Sequence, residues 1–251
     1  MPEFFYNAVM EMTLEKILQH QGFGSRKLCR NMILDGRIEI GGKTCTDPKT
    51  LFKTDSLNFS VDGKEWEARD YLYIVLHKPA GYECSHQPRH HSSVFSLFPH
   101  EFIQRGLQCV GRLDQDTTGL LLFSDDGNFI HRYTSPQKKV AKVYDIATDA
   151  PIEPIQIEKL KNGVQLKNET VQTKAFDCQL VDEFHLKLVI TEGKYHQVKR
   201  MVAAAGNHVE KLHRSAIGGY SLEENLSVGQ WRYLDETDLL LLNEPVNLSC
   251  F

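Results

Sequence analysis

An apolar run between two acidic, glycine-containing segments constrains the fold of this chain more than any other stretch. Residues 111–127 read GRLDQDTTGLLLFSDDG, and the run at 120–123 predicts a short buried strand. Asp114 and Asp116 lie just before that strand, where a carboxylate must be paired, hydrated or used in chemistry. Any fold that the chain adopts must therefore place a loop carboxylate beside the hydrophobic core.

The composition excludes several classes of protein. The chain has 251 residues, of which 41% are hydrophobic and 25% charged, as in a globular protein with one large or two smaller domains. No apolar stretch approaches the ~20 residues that span a bilayer, and the N-terminus lacks the pattern of a secretory signal. The six cysteines are scattered without a CxxC pair, which disfavours a zinc site. We therefore expect a cytoplasmic protein with reduced thiols and no membrane partner.

The net charge of −4 hides an uneven distribution along the chain. Residues 220–251 contain six acidic residues and one arginine, so this tail has a net charge of −5 and the preceding 219 residues sum to +1. The acidity is concentrated at the end of the chain. The rest of the molecule can therefore present a basic face to a nucleic acid.

The N-terminal part predicts a compact unit of two helices and a hairpin. The stretch TLEKILQHQG has apolar residues at helical spacing, and SRKLCRNMILDG follows with Ser25 as its N-cap. The stretch RIEIGGKTC predicts a hairpin that turns at its two adjacent glycines. Arg26 and Arg30 share one face of the second helix, with Lys27 beside them. These cations form either a solvated face or a contact surface for RNA.

The remainder predicts an α+β domain. Residues 61–70 are polar and predict a linker, and YLYIVLHKPAG, GLLLFS, KVYDIAT and EFHLKLVITEG predict strands. The last of these alternates apolar and polar residues, which is typical of a half-buried antiparallel strand. The stretch KYHQVKRMVAAAGNHV predicts a helix that ends at a glycine. Strands and helices do not alternate regularly, so we expect a mainly antiparallel central sheet.

Asp114 is the leading candidate for chemistry. Its loop enters a buried strand directly, so the carboxylate should lie at the edge of a dry cleft, where it could act as nucleophile or base. The alternative is an ordinary turn or cap, which is also the simpler interpretation of Asp116. Two aspartates two residues apart could ligate Mg²⁺, but no third oxygen-rich cluster or phosphate-binding glycine loop accompanies them. We therefore predict no metal.

Two further stretches supply groups that such a carboxylate could use. If the helix begins at Tyr195, then His196, Lys199 and Arg200 fall on one face and form either a solvent face or a face toward an acidic partner. An ionised carboxylate in an apolar cleft needs such a cation. Tyr144 lies two residues after a lysine on one strand face, where it is either core or a stacking platform for an unpaired base.

Taken together, these stretches resemble the bacterial ribosomal-RNA pseudouridine synthases, in the small-subunit branch that carries an S4-like RNA-binding domain in front. The resemblance rests on KPAGYECS, GRLDQDTTGLLLFSDDG, KVY, EGKYHQVKRM and GNHVEKLHRSAIGG in this order, with SRKLCRNMILDGRIEIGGK as the S4 motif. It implies an S4-like domain at 12–60, a linker at 61–70 and a catalytic domain at 71–245. Residues 1–11 precede the family pattern, and we predict no role for them.

The resemblance implies isomerisation of a uridine in 16S ribosomal RNA to pseudouridine, without cofactor or metal. Asp114 is expected to act on the ribose, by attack at C1′ or by proton abstraction at C2′. Tyr144 is expected to stack on the base, and Lys199, or alternatively Arg200, to pair with the aspartate. Arg112 is expected to fix the loop or to insert where the flipped base left the stack.

The implied partner is 16S ribosomal RNA or a small-subunit assembly intermediate, bound by a monomer. Leu186 and Leu188 are either pocket wall or ordinary core. Three other functions stay open: a large-subunit synthase of the same family, a non-catalytic S4-type RNA-binding protein, and a metal-dependent hydrolase that uses both loop aspartates. The residues expected to contact RNA are Arg26, Lys27, Arg30, Arg37, Lys43 and His196.

Overall fold

The chain forms two compact units. A computed structural model describes residues 11–247, which divide into a first unit (11–72 and 98–108) and a second unit (73–97 and 109–247). Of the N-terminal extension only Glu11 falls within the described residues, and Cys250 lies outside them.

The first unit is built around two short helices with one apolar face each. Leu14, Ile17 and Leu18 of the first helix pack with Cys29 and Ile33 of the second in one buried cluster. The side chain of Ser25 accepts a hydrogen bond from the backbone N–H of Leu28, which confirms the predicted cap. The elements are β1 (Glu11–Thr13), α1 (Leu14–His20), α2 (Arg26–Leu34), β2 (Ile38–Ile40), β3 (Lys43–Thr44), β4 (Leu51–Lys53), β5 (Asn58–Val61), β6 (Lys64–Glu67) and α3 (His100–Gln104).

A four-stranded sheet of order β3-β2-β5-β6 completes this unit, beside the separate pair β1 and β4. The β2–β3 hairpin pairs Ile40 with Lys43, which confirms the predicted turn. The predicted linker at 61–70 is wrong, because β6 lies within it, pairs with β5 and is followed by the buried Ala68. Trp66 of β6 packs edge to face on Phe23 at 5.0 Å. The segment resembles a linker in sequence because an edge strand carries mostly polar side chains.

Residues 98–108 lie inside the sequence range predicted for the catalytic domain but belong to the first unit. Arg105, just after α3, donates hydrogen bonds to the side chain of Gln21 and to the carbonyl oxygens of Arg69 and Asp70. These bonds satisfy buried backbone oxygens that are far away in the chain. A segment from within the range predicted for the catalytic domain therefore completes the first unit.

The second unit is built on one large sheet. Within residues 11–247 nine strands join it, in the order β13-β14-β12-β15-β11-β7-β17, with β10 on β11 and β16 on β15. The pair β11–β15 is parallel, whereas β7, β12, β13, β14, β16 and β17 pair antiparallel, so the predicted α+β class is confirmed. The elements are β7 (Tyr73–Lys78), β8 (Tyr82–Glu83), β9 (Ser92–Ser93), β10 (Gln108–Val110), β11 (Thr118–Ser124), α4 (Gly127–Thr134), β12 (Lys142–Thr148), α5 (Pro154–Asn162), β13 (Asp177–Leu180), β14 (His185–Ile190), α6 (Gln197–Ala205), β15 (Val209–Ile217), β16 (Tyr220–Ser221), β17 (Trp231–Tyr233) and α7 (Glu236–Leu241), with 3-10 helices at Val94–Leu97 and Pro136–Lys138.

The apolar run 120–123 lies in β11, near the middle of this sheet, and all four of its residues are fully buried. Gly119 pairs with Arg214 of the neighbouring strand and has a φ of +105°. A Cβ atom at Gly119 would lie 2.3 Å from the carbonyl oxygen of Arg214. Only glycine therefore lets the two strands approach at this point.

Candidate active site

A buried lysine organises the loop that carries Asp114. Lys78 at the end of β7 is fully buried, and burial lowers the pKa of its ammonium group. Its Nζ donates to the carbonyl oxygens of Pro79, Asp114, Gln115 and Thr117 at 2.9–3.2 Å. Since three of these carbonyls belong to one short loop, the lysine fixes the loop backbone that carries Asp114.

The carboxylate of Asp114 is partly buried, with 26% of its side chain exposed. His196 Nε2 lies 3.2 Å from its Oδ1, and Lys199 Nζ lies 3.7 Å from its Oδ2. The third residue of α6 and the N-cap residue before that helix thus place the two nitrogens beside the loop carboxylate. Such an acid is neither a solvated surface group nor a buried unpaired charge, so its electrons remain available for chemistry.

Lys199 makes its shorter contacts with the second aspartate of the loop. Its Nζ donates to Asp116 Oδ1 at 2.6 Å and to Oδ2 at 2.7 Å, and Asp116 is the more exposed of the two acids. Partial burial is the largest single influence on the pKa of Asp116 and raises it, but the hydrogen bond and charge of Lys199, a backbone hydrogen bond and the charge of His196 together lower the net pKa. Lys199 therefore bridges both aspartates, with Asp116 as its hydrogen-bonded partner.

The predicted common face of three cations does not form. The helix α6 begins at Gln197, and His196 is its N-cap residue with a left-handed φ of 47°. Arg200 donates to the carbonyl oxygen of Lys167 and lies 3.4 Å from Glu169 Oε1. The prediction of Arg200 as the alternative partner of Asp114 is therefore wrong, because Arg200 lies about 100° around α6 from Lys199 and reaches Glu169 instead.

Tyr144 lies on the floor of the same site. It is 7% exposed, lies in β12 directly across from Arg214 of β15, and its hydroxyl makes no hydrogen bond to any residue within 11–247. Lys142, two residues earlier, donates to the carbonyl oxygen of Val140. Burial and the charge of Arg214 together lower the pKa of Lys142 to about 8.

These side chains line one cavity of about 140 Å³ that opens to solvent. Its walls combine an acid, an aromatic ring and several cations, which is the composition expected of a binding or catalytic site for a polar ligand. The residues that carry this chemistry are Arg112, Asp114, Lys142, Tyr144, His196, Lys199 and Arg214.

The remaining predicted pocket residues divide between the rim and the core. Arg112 is exposed at the rim of the cavity and forms no ion pair within the described part of the chain. Leu186 and Leu188 are buried in β14 and do not line the cavity, so both are ordinary core. Leu212 of β15 lines the cavity instead of these two leucines.

The residues predicted to bind RNA in the first unit differ in whether a carboxylate of the protein already pairs with them. Arg26 and Arg30 both pair with the buried Glu15, at 2.6 and 3.0 Å, and the hydrogen bond from Arg26 contributes most to lowering the pKa of Glu15. Arg37 makes a bidentate pair with Asp62. By contrast, Lys27 and Lys43 are exposed, without a hydrogen bond or ion pair from their side chains to any residue in 11–247. Their role in binding RNA stays a prediction.

Two residues of the site have a signal that sequence reasoning missed. Lys78 ends an apolar strand just before a Pro-x-Gly turn, and Arg214 occupies an inward position between Leu212 and Ala216 of β15. A charged residue in a position of this kind must be neutralised or used. Lys78 is the first residue of KPAGYECS, and Arg214 lies within LHRSAIGG.

Several other classes of feature can be checked on residues 11–247. The five cysteines in this range are free thiols, and no group of three or more His, Cys, Asp or Glu side chains there is arranged to hold a metal ion. None of the helices in the described range combines the length and apolar character that crossing a membrane requires.

Comparison with known proteins gives consistent matches. A family described as RNA pseudouridylate synthase matches residues 72–204, and the S4 domain matches residues 12–56. A ribosomal small subunit pseudouridine synthase A from Vibrio vulnificus (strain CMCP6) is 45% identical over 230 residues, or 91% of this chain and 98% of the relative. The protein of that name from Escherichia coli (strain K12) is 37% identical over 231 residues, with the same coverage. A crystal structure of a pseudouridylate synthase is 31% identical, with a TM-score of 0.65 over 92% of this chain and 99% of that one.

Proposed function

The chain belongs to the RNA pseudouridylate synthase family, and we propose that it isomerises one uridine of 16S ribosomal RNA to pseudouridine. The observation that carries the proposal is Asp114, held partly buried between His196 and Lys199 in a cavity floored by Tyr144. A carboxylate in this setting can break the bond between a base and its sugar, provided that the base is brought into the cavity.

The target nucleotide must leave the RNA stack before Asp114 can reach its ribose. The flipped uracil stacks on Tyr144, an aromatic ring that lines the cavity with Asp114, and Arg112 at the rim fills the space that the base vacates. Asp114 then acts at C1′ as nucleophile or at C2′ as base. The uracil turns within the cavity and rejoins the sugar through C5.

Lys199 and His196 position the acid in this scheme. Because Lys199 is hydrogen-bonded to Asp116 and 3.7 Å from Asp114, it keeps a positive charge beside the reacting carboxylate without capping it. His196 lies closer, at 3.2 Å, and we assign it to orienting Asp114 rather than to a contact with RNA phosphates alone. No step of this chemistry uses a metal or a cofactor.

The choice of 16S ribosomal RNA rests on the relatives. The proteins from V. vulnificus and E. coli that match almost end to end are named for the small ribosomal subunit. The S4 domain would hold the RNA backbone through Lys27 and Lys43, which supplies affinity and position rather than base recognition. The enzyme would act in the cytoplasm as a monomer, on 16S ribosomal RNA or on a small-subunit assembly intermediate.

Carbodiimide mapping of pseudouridines in ribosomal RNA tests this function directly. RNA is compared from cells that carry the intact gene, no gene, or the gene for Asp114→Asn. We expect one pseudouridine in 16S ribosomal RNA to disappear in the second and third strains. A loss in 23S ribosomal RNA instead would assign a large-subunit synthase, and an unchanged map in both strains would favour a non-catalytic RNA-binding protein.

A further inference from the structure

Three cavity side chains project from one face of two neighbouring strands. Tyr144 of β12 and Arg214 of β15 are paired directly, and Lys142 precedes Tyr144 by two residues. Paired residues, and residues two apart in a strand, share a face of the sheet. All three line the cavity that also contains Asp114. The edge of a base stacked on Tyr144 would therefore lie beside two cations.

Neither of these two cations forms an ion pair with a carboxylate of residues 11–247. Arg214 is 2% exposed and donates through Nε to the carbonyl oxygen of Leu120, but its buried Nη2 has no hydrogen-bond partner in the described chain. Lys142 donates to the carbonyl oxygen of Val140, and no carboxylate of residues 11–247 lies within 4.0 Å of either cation. Two adjacent positive charges with an unused buried donor are unfavourable unless the cavity receives an anion.

We propose that Lys142 and Arg214 bind the oxygens of the target uracil and stabilise the negative charge that it carries once its bond to the sugar is broken. The inference rests on the proposed function. When the C1′–N1 bond breaks, its electron pair passes to N1 and spreads onto O2 and O4 of the base. C5 of the base then forms the new bond to C1′, and the carboxylate of Asp114 leaves C1′ if it was bound there, or returns the proton to C2′ if it acted as base. Loss of the proton from C5 and gain of a proton at N1 leave neutral pseudouridine. Hydrogen-bond donors that contact this negative charge only as it develops lower the barrier to bond cleavage and so accelerate the reaction.

The other anion that RNA could supply is a backbone phosphate. The depth of Arg214 favours the base, because the flipped nucleobase is the part of the nucleotide that enters such a pocket furthest while the backbone stays at its mouth. The two possibilities differ in what they predict. A phosphate contact contributes to affinity and to its salt dependence, whereas a contact to the uracil anion contributes to the rate of bond cleavage.

Lys142→Met is the decisive variant, because Lys142 donates a single hydrogen bond and its replacement leaves the sheet intact. Lys211→Met is the matched control, an exposed lysine of β15 that does not line the cavity. Single-turnover conversion is measured by rapid quench on a 16S ribosomal RNA fragment with uridine or 5-fluorouridine at the target position. Consumption of the target nucleoside is the readout for both substrates.

We expect Lys142→Met to slow cleavage about 10²-fold with uridine, and the control to match the wild type. With 5-fluorouridine the loss should shrink to roughly tenfold or less, since fluorine itself stabilises the uracil anion and replaces part of the cation's contribution. The dissociation constant for RNA and its salt dependence should stay as in the wild type.

Four results would overturn the inference. An equal loss of rate with both substrates would assign Lys142 to positioning. A drop in affinity, with the salt slope reduced by about 0.7 to 0.9, would assign it to a phosphate. A Lys142→Met rate equal to that of an active wild-type enzyme would refute this inference and leave the proposed function standing, whereas a wild-type enzyme that makes no pseudouridine would refute both.

Discussion

The basic residues of the two units differ in whether the protein neutralises them. In the first unit, Arg26 and Arg30 converge on the buried carboxylate of Glu15, so the most conspicuous cations of α2 serve the fold. In the second unit, Lys142 and Arg214 lie in a cavity without a carboxylate within 4.0 Å among residues 11–247. A cation that is already paired has little left for a ligand, whereas an unpaired buried cation is unfavourable until a ligand arrives. The comparison therefore assigns anion binding to positions that a count of charges along the chain would not select.

The largest expected effect concerns Asp114. Asp114→Asn should lower the single-turnover rate by about 10⁴-fold or more while RNA affinity is kept, because the variant removes the reacting carboxylate and retains the cavity. Asp116→Asn should cost less than about tenfold, since Asp116 anchors Lys199 rather than reacting. The rates are measured by rapid quench on a 16S ribosomal RNA fragment. Equal losses in the two variants, with sensitivity to a chelator, would favour a metal-dependent mechanism.

The free energy of unfolding of the Lys142→Met variant gives a second test of the comparison. The pKa of Lys142 is lowered to about 8, so below that pH the folded protein bears the full penalty of a buried charge. Lys142→Met should therefore raise the free energy of unfolding by about 2 kcal/mol at pH 7. Between pH 8 and about 10.5 the unfolded chain binds more protons, so the wild type gains stability and the difference shrinks. Urea denaturation across this range checks the sign, and a variant less stable than the wild type at pH 7 would contradict it.

The smallest effect concerns the exposed lysines of the first unit. Lys27→Ala with Lys43→Ala should weaken RNA binding several-fold and reduce the slope of log affinity against log salt, with the denaturation midpoint unchanged. The matched variant Glu15→Gln should lower the midpoint near neutral pH, because it removes the shared partner of two arginines. That deficit should vanish as the pH falls through the lowered pKa of Glu15, where the wild-type carboxylate is protonated too. Binding that does not respond to the two lysine changes would show that other residues hold the RNA.

Elements with a clear period or a terminal signal could be predicted from the sequence. The cap at Ser25, the hairpin turn before Lys43 and the alternating strand β14 depend on neighbours in the chain, and all three are confirmed. The start of α6 and the strand within the supposed linker could not be predicted. His196 adopts a left-handed conformation that delays the helix, and β6 exists because β5 offers an edge to pair with.

The sequence by itself determined the class of the fold, the family and the loop that presents Asp114, because these depend on periodicity and on short ordered motifs. Tertiary structure alone decided which charges meet. Asp116 rather than Asp114 is the hydrogen-bonded partner of Lys199, Arg200 turns to Glu169, and Arg214 enters the cavity beside Tyr144. The physical reason is that Coulomb attraction and desolvation depend on distances across strands and on exclusion of water, and the order of residues in the chain specifies neither.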